Sequence, residues 1–226
     1  MGIYVPARSV DDWRLLLADP EKHWRTGYSA RTLAHCWQEA QGFPPCVRKA
    51  FQNSGISLLQ TAEMLVAIPE HQVNLPGGTR PSQSDLFALV RTSEGLMSMA
   101  VEGKVSETFG PVVREWLSEK GAGKEERLGF LCTELGLNRN QVLDCRYQLL
   151  HRTASAILEA KRFFASSAAM IVHSFNEKNA WYEDFTSFAA LLGGSPKLNS
   201  VCRVRLPSGL DLYLGWVSGE KAFLLK

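Results

Sequence analysis

Residues 84–104 of this 226-residue chain, SDLFALVRTSEGLMSMAVEGK, decide how the rest of it is organised. Both halves of the stretch, residues 85–92 and 96–104, are rich in Leu, Val, Met and Phe, which suit strands. The segment between them, Ser-Glu-Gly at residues 93–95, is typical of a short turn that contains glycine. We therefore expect a β-hairpin, relative to which the other elements can be placed.

Three charged side chains fall at the open end of this hairpin. Successive residues of a strand point to opposite faces, so Glu102 and Lys104 share one face, with Gly103 between them. A two-residue turn at residues 94–95 would place Asp85 opposite Lys104, and a shift of one residue in the loop would move it by one position. In either register Asp85 ends within one or two residues of both. Two carboxylates and one ammonium group thus converge on strands that are otherwise apolar.

This arrangement suits metal-assisted cleavage of a phosphodiester bond. Mg²⁺ takes oxygen ligands, commonly one or two carboxylates together with water and substrate phosphate. Asp85 and Glu102 offer such carboxylates, and metal-bound water is a nucleophile near neutral pH. Lys104 would hold that water or neutralise charge on the phosphate. The alternative is a salt bridge between Lys104 and either carboxylate that closes a strand end and does no chemistry.

The motif, Asp85 followed by Glu102-Gly103-Lys104, resembles the PD-(D/E)XK, or restriction-endonuclease-like, nuclease superfamily. Members carry an Asp early in one strand and (Asp/Glu)-X-Lys at the end of the next. This chain departs from the pattern because no proline directly precedes the Asp and because X is glycine. The resemblance implies that Asp85, Glu102 and Lys104 are catalytic, and that the two acids and the Gly103 carbonyl bind the metal.

A helix before the first strand often supplies another acid in this superfamily. The apolar residues of the segment 56–66 fit a helix that ends before Pro69, with Glu63 near its polar edge. A short strand over residues 70–75 would then lead to the hairpin. The resemblance implies that Glu63 is a further metal ligand, whereas a solvated helical Glu is the plainer interpretation.

A long helix is predicted over residues 141–164, which lack Gly and Pro and carry an apolar stripe. Gln148 and Arg152 are four residues apart and share a face, and His151 lies beside both. Some branches of the superfamily place a Gln or a basic residue of this helix near the site. These three residues are therefore the implied substrate-binding or supporting residues, with surface polarity as the alternative.

The apolar run at residues 168–175 predicts a further strand, which a helical crossover makes parallel to the hairpin's second strand. The predicted fold is α/β, with a restriction-endonuclease-like core of helix, three strands, helix and strand over residues 56–175. Residues 1–55 form an N-terminal helical region packed on the core. Residues 176–226 add a helix and a β-hairpin that extends the sheet or packs over it. One compact domain is expected overall.

Composition is that of a globular protein: 45% of the residues are hydrophobic, 21% are charged and the net charge is +2. That charge neither requires a nucleic-acid partner nor excludes one, because a basic groove can be local. No run of 18 apolar residues predicts a membrane helix. Five dispersed cysteines indicate reduced thiols in a cytoplasm rather than a disulfide framework or a zinc site: Cys36, Cys46, Cys132, Cys145 and Cys202.

The sequence-based hypothesis is a cytoplasmic nuclease that uses Mg²⁺, or Mn²⁺, to hydrolyse nucleic acid; DNA is favoured as the substrate, and RNA stays open. The combination PGG, SDLF, VEGK and HRTASAILEAK is similar to a group of uncharacterised bacterial proteins, which implies no particular substrate. One alternative is a non-catalytic nucleic-acid- or protein-binding module that keeps the fold. The least favoured is an enzyme of another class built on His151 or His173. A homodimer is compatible with the sequence but is not indicated by it.

Overall fold

Six strands form one mixed sheet at the centre of the molecule. The computed structural model describes residues 7–119 and 121–226. Within these residues the strands lie side by side in the order β1-β2-β3-β4-β6-β5. Their bounds are Glu63–Val73 for β1, Ser82–Thr92 for β2, Gly95–Lys104 for β3, Ser167–Ser174 for β4, Ser200–Arg205 for β5 and Asp211–Ser218 for β6.

Helices cover both faces of this sheet, so the α/β class predicted from the sequence is confirmed. Two short 3₁₀ helices span Arg139–Val142 and Lys221–Leu225. The described part of the chain contains nine α-helices: α1 Val10–Arg14, α2 Pro20–His23, α3 Ser29–Ala40, α4 Pro45–Asn53, α5 Ser57–Gln60, α6 Val113–Ser118, α7 Lys124–Leu135, α8 Tyr147–Arg162 and α9 Tyr182–Leu191.

The predicted hairpin is confirmed, with a turn one residue earlier than expected. Thr92 pairs with Gly95, so the two-residue turn is at residues 93–94. The backbone of Gly95 has a φ of 112°, which an L-residue with a side chain rarely adopts. Gly95 is thus the first residue of β3 and not part of the turn. Counting back from the Thr92–Gly95 pair, the register places Leu86 opposite Val101.

Alternation along β3 divides its side chains between two apolar layers. Met99 and Val101 belong to the cluster that contains buried residues of α3 and α4. Ala100, between them, belongs to the cluster that contains buried residues of α7, α8 and α9. Glu102 and Lys104 continue the second series, which brings them under α8 and explains why their partners come from that helix.

Strands β3 and β4 are parallel, as the predicted crossover requires. α8 completes that connection but begins at Tyr147 rather than at residue 141. The N–H groups of Val113 and Arg114 donate to the carbonyls of Cys145 and Leu143, at 2.9 and 3.0 Å. These bonds connect residues 143–145 to the start of α6. This contact between distant segments replaces the first turns of the helix that the local sequence pattern predicted from residue 141.

The helix predicted over residues 56–66 is wrong beyond its first turn. α5 ends at Gln60, and the chain enters β1 at Glu63. An extended ladder pairs β1 with β2 as far as Val73, with an irregularity between Met64 and Val66. The spacing of apolar residues in this segment fits a helix as well as a strand, and only the pairing with β2, distant in sequence, separates the two.

The C-terminal hairpin extends the sheet instead of packing over it. β5 and β6 are antiparallel, and β6 lies parallel to β4 at the sheet's interior. The two strands of residues 176–226 therefore belong to the same sheet as the strands of the predicted core. The division of the chain at residues 55 and 175 stays a prediction. Among the described residues, no helix combines the length and apolar character that crossing a membrane requires.

Candidate functional site

The candidate site lies where β2 and β3 separate. The last paired residues of their ladder are Leu86 and Val101, and Asp85 and Glu102 follow directly on either strand. Beyond this point an open cleft of about 380 Å³ forms against α8. Five of the predicted site residues line it: Asp85, Glu102, Lys104, Gln148 and His151.

Glu102 is almost fully buried and is held by three side chains. Its Oε1 accepts hydrogen bonds from Lys104 Nζ at 2.8 Å and Gln148 Nε2 at 2.7 Å. Its Oε2 accepts one from Arg152 Nε at 2.6 Å. Burial alone would raise the pKa of this carboxyl, but the charges of Arg152 and Lys104 outweigh burial and lower the pKa below its usual value. Glu102 is therefore ionised at neutral pH.

Asp85 has the opposite electrostatic character. Its Oδ2 accepts one hydrogen bond, from the backbone N–H of Gly103 at 2.7 Å, and no described residue donates to its Oδ1. Burial, followed by repulsion from Glu102, raises the pKa of Asp85 to about 7. The carboxyl thus has a free oxygen and is only partly ionised at neutral pH.

Glu70 is a third acid at this site, and the sequence analysis missed it. It lies in β1 between Pro69 and His71, which pair with β2 residues on either side of Asp85. Gln83 Nε2 donates to its Oε2 at 2.7 Å, and its φ of 52° is unusual for a side-chain-bearing residue. Burial and then repulsion from Asp85 raise its pKa to about 8. Glu70 lies in the segment predicted as a short strand, but its position beside Asp85 depends on the register of β1 against β2, which the sequence analysis did not specify.

The site holds more acids than cations. Three carboxyl groups, those of Glu70, Asp85 and Glu102, interact electrostatically with two basic groups, those of Lys104 and Arg152. Burial is the main cause of the raised pKa values of Glu70 and Asp85, and repulsion between the acids adds to it, so ionising all three near neutral pH is unfavourable without another positive charge. A divalent cation beside Asp85 and Glu102 would supply that charge.

Glu63 does not join this group. It lies at the opposite end of β1, where its carboxylate is exposed and paired with Arg91. The placement expected from a preceding helix is wrong, because the segment is a strand and Glu63 begins it. Glu70, near the other end of the same strand, occupies the position beside Asp85 instead.

The three predicted residues of α8 have different environments. Gln148 bridges the site, since its Oε1 accepts from Lys104 Nζ at 3.0 Å while its amide nitrogen donates to Glu102. His151 Nδ1 lies 2.7 Å from Ser82 Oγ, and burial, followed by the charge of Arg152, lowers the pKa of His151 well below its usual value. Arg152 is buried behind Glu102. It supports the carboxylate and does not line the cleft.

The backbone groups of Gly103 point towards β2, the strand that carries Asp85. The carbonyl of Lys104 accepts from the N–H of Phe175 at 2.7 Å, so Lys104 directs its backbone groups towards the β4 side. In a parallel ladder the neighbouring residue directs its groups the other way. The N–H and the carbonyl of Gly103 therefore point towards β2, and the hydrogen bond from its N–H to Asp85 agrees.

Glu107 fixes the wall of the cleft opposite α8. Its carboxylate accepts from the backbone N–H of Ser29, at the start of α3, at 3.0 Å and from that of Val105 at 2.9 Å. This clamp joins the end of β3 to the first turn of α3. The Lys104 ammonium lies 4.8 Å from the centre of the Phe109 ring, which further restricts its position.

A second cluster, on the other face of the sheet, brings together Cys36, Cys46 and His173. The two sulfur atoms and a ring nitrogen of His173 all lie within 4.8 Å of one another. Among the described residues, this is the group of three or more His, Cys, Asp or Glu side chains that is close enough to hold one metal ion. Glu70, Asp85 and Glu102 do not form such a group. All five cysteines are free thiols, but the tertiary structure brings Cys36 of α3 and Cys46 of α4 together, which their spacing in the sequence did not indicate.

A family model described as "Domain of unknown function (DUF6946)" matches residues 6–221, nearly the whole chain. The chain belongs to the DUF6946 family. No curated protein matches it, and no solved structure matches it. The nine α-helices, all six strands and the acidic cleft described for this DUF6946 protein thus lie within a single family match, which assigns no superfamily and no activity.

Arg152→Ala in this DUF6946 protein is expected to lower the free energy of unfolding by about 3 to 5 kcal/mol, because it leaves the buried Glu102 carboxylate without a main partner. Urea denaturation at pH 8 measures the loss. Arg162→Ala is the matched control on the same helix: its side chain is 53% exposed and pairs with Glu159, so a change of about 1 kcal/mol or less is expected. Equal losses for both variants would contradict a structural role for Arg152.

Proposed function

We propose that this DUF6946 protein is a metal-dependent nuclease that hydrolyses phosphodiester bonds in nucleic acid, with DNA as the favoured substrate. One observation carries the proposal. Asp85, Glu102 and Lys104 converge at the split end of a β-hairpin, and all three line one open cleft. Glu102 and Lys104 are almost fully buried, yet both line the cleft, which a salt bridge that only closed a strand end would not need to do.

We further propose that β1 to β4 and α8 form a restriction-endonuclease-like core. Three antiparallel strands, a crossover that contains a helix, and a fourth strand parallel to the third follow one another in the order of that superfamily. The chain differs from the pattern at its start, where α5 has a single turn and contributes no acid to the site. Strands β5 and β6 are additions to that core.

The residues present fit a hard divalent cation. Mg²⁺ and Mn²⁺ favour oxygen ligands, and Mg²⁺ commonly uses only one or two carboxylates. Asp85 has a free oxygen, Glu102 is ionised, and the carbonyl of Gly103 points towards β2, on the side of Asp85. Such an ion would balance the excess negative charge of the three carboxyl groups over the two basic groups. When bound, the ion would polarise the scissile phosphate and lower the pKa of water.

Lys104 is the lysine that lines the cleft. Its Nζ is held between Glu102 Oε1 and Gln148 Oε1, at 2.8 and 3.0 Å, so its position is set before substrate arrives. It would stabilise negative charge that develops on the phosphate and orient the attacking water. Gln148 aligns this ammonium group, and Arg152 keeps Glu102 ionised from behind.

One observation favours the alternative, a binding module that keeps the fold without catalysis. Glu102 already accepts three hydrogen bonds from side chains, two of them from cations. A carboxylate neutralised in this way has less affinity for a metal ion than a free one. Binding of nucleic acid without cleavage, weakened steeply by salt, would be the behaviour of such a module.

A cleavage assay tests the proposal. Supercoiled plasmid, linear duplex, single-stranded DNA and RNA are incubated with the protein and Mg²⁺ or Mn²⁺, with EDTA as the control, between pH 6 and 9. We expect metal-dependent cleavage whose rate rises as pH increases through about 7, because Asp85 must lose its proton to bind the ion. Isothermal titration with Mn²⁺ reports binding independently of cleavage. No metal binding and no cleavage of any substrate would overturn the nuclease proposal and favour the binding module.

A further inference from the structure

Cys46 and His173 form a hydrogen-bonded pair on the face of the sheet opposite Glu102. Cys46 Sγ lies 3.3 Å from His173 Nε2. The other ring nitrogen, Nδ1, accepts a hydrogen bond from Trp37 Nε1 at 3.0 Å. An indole N–H only donates, so Nδ1 carries no proton and the proton of the neutral imidazole is on Nε2. Trp37 thereby directs the Nε2–H of His173 at the sulfur of Cys46.

The N-terminus of α4 also favours a negative charge on the Cys46 sulfur. Cys46 is the second residue of α4, a nine-residue helix, where the free N–H groups favour a negative charge. Hydrogen bonding from Cys36, opposed by burial and aided by His173, lowers the pKa of the Cys46 thiol. Cys46 is partly exposed, whereas Cys36 is 2% exposed. A small reagent can therefore reach Cys46 first, and Cys36 lies within 4.8 Å of it.

We propose that Cys46 and Cys36 are a peroxide-oxidisable thiol pair, with Cys46 as the attacking thiolate and Cys36 as the resolving thiol. This proposal does not depend on the nuclease activity. Cys46 is only partly exposed, and His173 is fully buried beside it. The geometry suits a reagent as small as hydrogen peroxide.

The reaction balances with hydrogen peroxide as the oxidant. The Cys46 thiolate attacks one peroxide oxygen; an S–O bond forms, the O–O bond breaks, and the departing hydroxide takes up a proton to become water. Cys36, on losing its proton, then attacks the Cys46 sulfur, and the S–O bond breaks with release of a second water. Two thiols are oxidised to one disulfide, and one peroxide is reduced to two waters.

A metal site is the main competing interpretation of this cluster. Two thiolates and one imidazole are ligands that Zn²⁺ accepts. A His ligand, however, normally donates its other ring N–H to an acceptor. Here that second nitrogen, Nδ1 of His173, is itself the acceptor, from Trp37. Coordination through Nε2 would therefore require an imidazolate or the loss of the Trp37 bond, and the thiol pair fits the observed hydrogen bonds better.

Alkylation of the reduced, full-length protein with iodoacetamide at pH 6.5, followed by peptide mass mapping, tests the reactivity of Cys46. Cys202 is the internal control, because it is also partly exposed but burial raises its pKa. We expect Cys46 to react at least about tenfold faster than Cys202, and Trp37→Phe to reduce that ratio. Circular dichroism checks that the variant is folded. Equal rates for the two cysteines would overturn the proposal.

Titration with hydrogen peroxide tests the pairing. Wild type is expected to lose two hydrogens per chain and to yield a Cys36–Cys46 linked peptide, with Cys202→Ser behaving in the same way. Cys36→Ser is expected instead to form a sulfenic acid at Cys46 that dimedone traps, and Cys46→Ser to form neither product. A disulfide through any other cysteine would contradict the assignment. One equivalent of co-purified zinc that is lost in Cys46→Ser would establish the metal site in its place.

Discussion

Lys104→Ala is expected to lower the rate of metal-dependent cleavage by about 10²- to 10³-fold, the effect of removing one charge-stabilising group from a preorganised site. The variant should still bind Mn²⁺, because Asp85 and Glu102 remain and a competing cation has gone. Glu102→Gln is expected to lose cleavage to the same extent and to lose Mn²⁺ binding as well. The two substitutions thus separate the residue that acts on the phosphate from the one that holds the ion.

Lys161→Ala is the matched control for the lysine substitution. Lys161 lies on α8 with its side chain 55% exposed and pairs with Glu134, away from the cleft. Its loss should leave cleavage unchanged. Thermal melting of all three variants shows whether each is folded, since Lys104 is buried and its removal also changes the environment of Glu102. Wild-type cleavage by folded Lys104→Ala would contradict the proposed mechanism.

Asp85→Asn is expected to make the metal-free protein more stable while it abolishes metal binding. The pKa of Asp85 is raised in the folded state, so its carboxyl favours folding only while protonated. That contribution is complete below the unfolded value near 4 and is lost as pH rises through about 7. The stabilising effect of the amide should therefore grow between these pH values and stay constant above them. Asn keeps an oxygen that can accept the Gly103 hydrogen bond.

We expect Asp85→Asn to raise the melting temperature of the metal-free protein by about 5 °C at pH 8, which corresponds to about 2 kcal/mol. Mn²⁺ should raise the melting temperature of wild type and leave that of the variant unchanged. Asp211→Asn is a control with the opposite sign, because the pairs of Asp211 with Arg203 and Arg205 lower its pKa. Destabilisation by Asp85→Asn at pH 8, like that expected for Asp211→Asn, would show that Asp85 is a structural acid.

The central hairpin and the spacing of its charged residues follow from local sequence. Strand-forming residues on either side of a short turn select the hairpin, and alternation places Glu102 and Lys104 on one face whatever surrounds them. Asp85 comes near them in any short-turn register. α8 is also predicted in its main part, because a long apolar stripe without Gly or Pro leaves few alternatives. These features depend on contacts between residues that are close in the chain, or joined by one tight turn.

Other parts of the site depend on contacts between distant segments. Glu63 lies away from the site because the start of β1, predicted as a helix, pairs with β2 as a strand, and the register of that pairing places Glu70 beside Asp85. Arg152 was predicted to bind substrate or to support the site, and only the packing of α8 on β3 shows that its partner is Glu102.

The sequence alone therefore determined the hairpin, the helix that covers it and the three charged residues Asp85, Glu102 and Lys104. The spacing of apolar residues and the alternation of side chains along a strand depend only on residues that are close in the chain. Only the tertiary structure decided which charges meet, which carboxyl groups retain protons and which thiols lie beside His173. Those properties depend on burial and on distances between segments that are far apart in the chain, and no local pattern specifies either.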